Sequence, residues 1–265
     1  MKIHDVEQRS AEWFAVRTGK PTASAFSRIV APLVNIPDTY NENAPFGVCC
    51  WCGKDDLPRK KDGTPKTNVR YHPDCKKERD RNVGKANPGA ARLSYARELA
   101  AEIVGGPDVN QWGGNMDLER GKFLEEDALS MYSFIRGVEV RRVGFITDDD
   151  ETIGCSPDGL VGDDGMIEIK CLNANHHIDV IMRWHDKREI APDYVAQPQG
   201  QMYVSGRPWC DVVFYHYALP PLIIRQTPDA EYRAALATGI TEVIAERDRI
   251  VGVLHQLKNG DIDEM

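Results

Sequence analysis

In the stretch SPDGLVGDDGMIEIKC, Ser156 to Cys171, three ionisable residues stand where the pattern otherwise reads as a buried hairpin: Asp158, Glu168 and Lys170. Ionised groups in a core are costly unless a partner compensates them. The period of two along a strand sends Ile167, Ile169 and Cys171 of MIEIKC to one face and Glu168 with Lys170 to the other. Asp158 follows Pro157 at the start of the preceding strand, and the GDDG turn between the strands brings it alongside Glu168. Two carboxylates with a main-chain carbonyl form a hard-oxygen set suited to Mg²⁺, an ion that keeps waters and takes substrate phosphate oxygens. Lys170 is then placed to orient or deprotonate an attacking water. Each residue also has a plain reading: Asp158 as a turn aspartate before Gly159, Glu168 and Lys170 as a solvent-facing pair on an edge strand.

The elements that must position these groups are legible on both sides. A helix is expected from about Asn115 to Arg136, with Leu118, Gly121, Ala128, Leu129 and Tyr132 on one stripe. Glu125 lies at the centre of that stripe, while Glu119, Glu126 and Asp127 face away. Strand-like runs follow at Val138 to Ile146, around Ile153, at Leu160 to Val161 and at Met166 to Cys171, and together they predict an antiparallel meander. NHHIDVIMRW reads as a helix with His176 and His177 on its surface. PDYVAQPQGQMYVSG reads as a helix interrupted early at Pro198. WCDVVFYHYAL and LIIRQ form a final strand pair, and a helix from about Asp229 to Lys258 closes the chain. At the start, a short helix ends at Gly19; a second is begun by Thr22 or Ser24 as cap, with Trp13, Phe14, Phe26 and Ile29 as anchors.

These residues resemble the PD-(D/E)XK nuclease superfamily, with Pro157-Asp158 as its first element and Glu168-Ile169-Lys170 as its second. Gln199 and Tyr203 match the Q-x-x-x-Y element of its RecB-like branch. More narrowly, QRSAEWFAVRTGKPTASAF, GKFLEEDA, SPDG, EIKC and AQPQGQMY are together similar to the lambda exonuclease and YqaJ-like viral recombinase family. The resemblance implies an α/β fold, a restriction-endonuclease-like core with a central mixed sheet flanked by helices. It implies 5′ to 3′ digestion of one strand of linear duplex DNA, helped by two Mg²⁺ or Mn²⁺ ions. Asp158, Glu168 and the Ile169 carbonyl are then metal ligands, Glu125 acts at the second metal, Lys170 serves the water, and Gln199 supports the site. Arg17, Ser24 and Ser156 match the pocket for the 5′-phosphate of the digested strand. A homotrimeric ring and a single-strand annealing protein are the partners such an enzyme would have.

Residues 32–88 depart from that pattern, being rich in Pro, Asn, Gly and Lys with little periodicity, and are read as an insertion in a single nuclease domain spanning 1–265. CCWCGK and YHPDC supply Cys49-x-x-Cys52 and His72-x-x-Cys75, with Cys50 as a substitute ligand. Three thiolates and an imidazole at paired spacing fit one closed, structural Zn²⁺ site. A loop of unligated thiols is the alternative. From Lys54 to Lys85 there are eleven Lys or Arg against six Asp or Glu, a balance of +5 in a chain of net charge −8. The insertion is thus basic in an acidic protein, which favours DNA contact over subunit or partner docking.

With 265 residues, 42% of them hydrophobic, the chain can bury a full core. No apolar leader or membrane-length run is present, so the expectation is a cytoplasmic protein, in the host cell if the source is viral. Seven cysteines, an odd number, suit thiols and metal better than a disulfide framework. Two other readings compete with the exonuclease: an endonuclease of the same superfamily in restriction or repair, and a zinc-bearing DNA-binding or scaffold protein with a vestigial site.

Overall fold

The computed structural model describes residues 1–30, 39, 43–50, 52–76, 88–107, 109 and 117–258, without the side chains at 88 and 117–123. Two compact units are present, Met1–Val30 with Arg92–Met265 and Ala31–Ala91.

The larger unit is a mixed α/β fold. Strand β1 (Lys2–His4) and helix α1 (Ala11–Arg17) open it, followed by a 3₁₀ segment at Ala23–Arg28 and helices α2 (Pro88–Gly105) and α3 (Asp117–Arg136). Then come β2 (Val140–Arg141), β3 (Phe145–Thr147), β4 (Gly154–Cys155), β5 (Gly159–Val161) and β6 (Gly165–Cys171). Helix α4 (Ala174–Lys187), a 3₁₀ turn at Pro192–Tyr194, α5 (Ala196–Ser205), β7 (Trp209–Tyr215), β8 (Leu222–Gln226) and α6 (Ala230–Lys258) complete it. The central sheet has the order β2-β5-β6-β7-β8, in which β6 and β7 run parallel and the other pairs antiparallel.

The expected meander is corrected in one respect: it does not stay in one sheet. Strands β3 and β4 leave to join β1 in a separate antiparallel sheet, so Val138 to Ile146 is two strands in two sheets. The chain crosses at Gly144, where an added Cβ would lie 1.9 Å from the Val6 carbonyl oxygen, an approach only glycine permits. The second expected N-terminal helix is a six-residue 3₁₀ segment with Thr22 before it and no side-chain cap.

Alternation along β6 divides the core. Ile167 and Ile169 pack with Val213 of β7 and with Ala128 and Tyr132 of α3. Met166 faces the opposite layer, where Phe26, Ile29, Tyr95, Leu99, Met202, Leu236 and Ile240 meet. Each such large apolar side chain contributes about 1.5–3 kcal/mol by leaving water. The same alternation places Glu168 and Lys170 on the Met166 side, under α5. On the α3 side, fully buried Asp211 of β7 accepts from Tyr132 Oη at 2.8 Å and from Arg225 at 2.7 and 2.9 Å, which ties α3 to the sheet. His177 corrects a further expectation. It is buried, its Nε2 lies 2.9 Å from the Pro220 carbonyl, and only His176 is on the surface. Pro198 does not interrupt α5, because it sits in the first turn, where no backbone donor is needed.

No helix among the described residues is long and apolar enough to cross a membrane.

Candidate active site

Strands β5 and β6 pair with Gly159 opposite Ile167, and the same antiparallel register carried one residue further sets Asp158 opposite Glu168. The Asp158 backbone N–H donates to the Ile167 carbonyl at 3.2 Å, and its Oδ2 accepts from the Ile169 N–H at 2.6 Å. Asp158 is therefore a pairing extension of β5 rather than a free turn residue. Glu168 is 3% exposed, with Oε1 2.7 Å from Lys170 Nζ and Oε2 accepting from Gln201 Nε2 at 2.6 Å. Lys170 Nζ also donates to Gln197 Oε1 at 2.9 Å. Asp158, Ile169 and Glu125 line a cleft of about 500 Å³, together with Asp5 to Arg9, Glu126, Arg142 and Gly144. Glu125 has no hydrogen bond or ion pair to any described residue.

Charge is unbalanced here. Burial raises the Asp158 carboxyl well above the usual range, and neighbouring Glu168 and Glu125 push the same way. Burial also raises Glu168, outweighing Lys170 and Gln201. Burial alone would lower Lys170, but the Glu168 and Asp158 carboxylates overcome it and keep it an ammonium. Three acids thus face one base, and hard-oxygen donors with excess negative charge fit a divalent cation.

Gln199 has partners of its own. Its Nε2 donates to the Thr227 carbonyl at 2.8 Å and its Oε1 accepts from the Asp229 N–H at 2.9 Å, so it joins the end of β8 to the start of α6. Tyr203 packs under Arg233, 5.7 Å from ring centroid to guanidinium. The glutamines that reach the acid and base are Gln197 and Gln201. One helical rule finds them: positions four apart share a face, and position 199 between them points elsewhere.

Arg17, Ser24 and Ser156 are brought into one chain of contacts by two residues that sequence reasoning did not assign to the site. Trp13 Nε1 donates to Ser156 Oγ at 2.8 Å and to the Gly144 carbonyl at 3.2 Å, and Arg17 stacks 4.3 Å from the Trp13 ring. Arg17 Nη2 lies 3.4 Å from Thr22 Oγ1, itself 3.4 Å from Ser24 Oγ. Arg17 has no ion pair with a described carboxylate, and burial lowers its pKa.

In the smaller unit, ligand atoms of Cys49, Cys52, His72 and Cys75 lie within 4.8 Å of one another, so the group could bind zinc. His72 Nδ1 is 3.5 Å from Cys52 Sγ and 3.8 Å from Cys75 Sγ, while its Nε2 meets Asp56 Oδ1 at 2.8 Å. That carboxylate fixes the ring so that Nδ1 faces the thiols, the arrangement expected behind a metal-ligating histidine. Burial and the neighbouring Cys52 and Cys49 thiols push Cys75 up to about 12. Cys50 stands outside the quartet.

The two glutamine roles are separable. Gln201→Ala is expected to lower turnover roughly 10- to 100-fold, the usual cost of losing a partner behind a ligand. Gln199→Ala is expected to lower the unfolding midpoint while a folded sample keeps its turnover. Steady-state rates beside urea unfolding check both, and an active Gln201→Ala protein would contradict the placement.

Residues 81–208 match the YqaJ-like viral recombinase domain. Two crystal structures of the alkaline exonuclease LHK-Exo from Laribacter hongkongensis, one in complex with dAMP, are similar at TM-score 0.64 and 27% identity. They cover 96% of this chain and 100% of their own. A phage-related exonuclease from Haemophilus somnus 129PT shares the fold at TM-score 0.53 and 16% identity, over 89% of this chain and 96% of its own. No curated protein matches the chain. The matched region holds Glu125, Asp158, Glu168 and Lys170, so these four residues lie in a segment similar to the YqaJ-like viral recombinase domain.

Proposed function

We propose that the protein is a metal-dependent deoxyribonuclease that digests one strand of linear duplex DNA from its 5′ end, leaving a single strand for an annealing partner. The observation that carries this reading is the unbalanced Asp158, Glu168, Glu125 and Lys170 group, of which Asp158 and Glu125 line a cleft, in a fold similar to that of exonucleases. Capture of dAMP by one relative supports release of mononucleotides.

Asp158, Glu168 and the Ile169 carbonyl would hold one Mg²⁺ or Mn²⁺, with Glu125 serving a second. Bound there, a divalent cation stabilises charge developing on the phosphate and lowers the pKa of a water. Glu168 and Gln197 hold Lys170 as an ammonium, which orients that water and offsets phosphate charge. Gln201 fixes the rotamer of Glu168.

End recognition is assigned to Arg17 with Ser24 and Ser156. A partly buried guanidinium without a carboxylate partner among the described residues attracts an anion, and a terminal phosphate is a dianion of matching geometry. The short 3₁₀ segment adds little helix-end field, so Arg17 carries the selectivity. The Gly144 carbonyl, which accepts from both Trp13 and Ser156, belongs to a cleft-lining residue and links this pocket to the carboxylates. A trimeric ring would account for processive digestion, and light scattering of the purified protein reads that state directly.

Gel assays on linear duplex are expected to show faster loss of 5′-phosphorylated than of 5′-hydroxyl ends, and closed circular DNA should survive. Arg17→Ala is expected to erase most of that preference while slow Mg²⁺-dependent cleavage persists. Equal rates on both ends, or nicking of circles as fast as digestion of linear DNA, would favour the endonuclease reading.

The Cys49, Cys52, His72 and Cys75 quartet is assigned one structural zinc. Elemental analysis of protein prepared without added metal is expected to give about one zinc per chain, lost in Cys52→Ser. Reduced, freshly prepared protein free of zinc would contradict it.

A further inference from the structure

The Ala31–Ala91 unit carries a surface that the thiol quartet does not explain. Phe46 is 53% exposed, an unusual state for a phenylalanine, and the Arg70 guanidinium lies 5.0 Å from its ring centroid. Arg70 is held there by donating through Nη2 to the Ala44 carbonyl at 2.7 Å. Beside it a small hairpin is closed by the Arg59–Pro65 bridge and by Lys60 N–H donating to the Thr64 carbonyl at 2.8 Å. That hairpin packs on Gly47, where an added Cβ would meet Pro65 Cγ at 3.2 Å and Arg59 Nη2 at 3.4 Å. Lys60, Lys61 and Lys66 are therefore carried on a hairpin that packs on Gly47, the residue that follows Phe46 in the chain.

The charges on this unit do not cancel. Asp55 is taken by Arg59 at 2.7 Å, Asp56 by His72 at 2.8 Å, and Asp62 by the Thr64 N–H and hydroxyl at 2.9 and 2.6 Å. Asp74 also has a partner. Lys54, Lys60, Lys61, Lys66 and Lys76 are exposed and make no ion pair with a described residue. An exposed aromatic beside unneutralised lysines is a surface for a polyanion with flat, unpaired rings. Duplex DNA hides its base faces, whereas a single strand offers them.

We propose that this face of the Ala31–Ala91 unit binds single-stranded DNA, with the lysines along the phosphates and an unpaired base stacked on Phe46. The choice of DNA as the polyanion rests on the nuclease reading; the face itself does not.

The test uses the full, zinc-loaded chain silenced by Asp158→Asn, with binding read by anisotropy of a fluorescent oligothymidine of about 20 nucleotides and of a blunt hairpin duplex. Phe46→Ala is expected to weaken oligothymidine binding roughly 10-fold and to leave duplex binding within about twofold, because stacking reports only on unpaired bases. Phe46→Trp should retain it. Replacing Lys60, Lys61 and Lys66 with Gln should flatten the slope of log affinity against log salt by about 2, the share of three single-strand phosphate contacts. Zinc content confirms that each variant is folded. A zinc-loaded Phe46→Ala protein that binds oligothymidine like its parent, or loses duplex binding equally, would overturn the proposal, as would a parent that does not bind oligothymidine. Failure of the unsilenced protein to digest linear duplex would overturn the nuclease reading alone.

Discussion

Burial of the Asp158 and Glu168 carboxylates, with Glu125 close by, is the constraint around which the larger unit is arranged. One ammonium, Lys170, cannot neutralise three acids, and burial raises the first two carboxyls further. A carboxyl whose pKa is raised on folding favours the folded state at low pH and opposes it as pH rises past the unfolded value. Near neutrality these two carboxyls therefore subtract from stability. The surroundings limit that cost: the Ile169 N–H binds Asp158, Gln201 binds Glu168, and the parallel β6–β7 pairing makes the strand that carries them rigid.

Much of this was legible because it obeys local periods. Alternation in MIEIKC assigned the faces of β6 correctly, and the helical stripe of α3 placed Ala128, Tyr132 and Glu125 toward the sheet. The closing helix and the final strand pair followed from caps and apolar runs. What failed was non-local. Nothing in Lys2 to His4 shows that it pairs with Phe145 to Thr147, and the switch of sheets at Gly144 depends on the distant Val6 carbonyl. Family pattern selected Gln199, and the rotation of α5 brings Gln197 to Lys170 and Gln201 to Glu168. His177 looks polar in sequence, yet the Pro220 carbonyl satisfies one ring nitrogen in the interior.

The two units solve stability differently. The larger one has a continuous apolar core on both faces of its sheet. Among its described residues the smaller has a cluster of Cys49 and Leu57 with Cys52, Val69, Tyr71 and Cys75 at its edge, a small core for a polar segment. A metal held by its thiols and imidazole would supply the missing energy and free the surface for cations and an exposed ring.

Thermal unfolding of the zinc-loaded protein with and without Mg²⁺ tests the central claim most directly. Mg²⁺ at about 100 times its dissociation constant should stabilise the wild type by roughly 2.7 kcal/mol and raise Tm by several degrees. Asp158→Asn, which keeps an acceptor for the Ile169 N–H, should raise Tm without Mg²⁺ and lose the response to it. A wild-type Tm indifferent to Mg²⁺, or an Asp158→Asn protein less stable than wild type in its absence, would contradict the account.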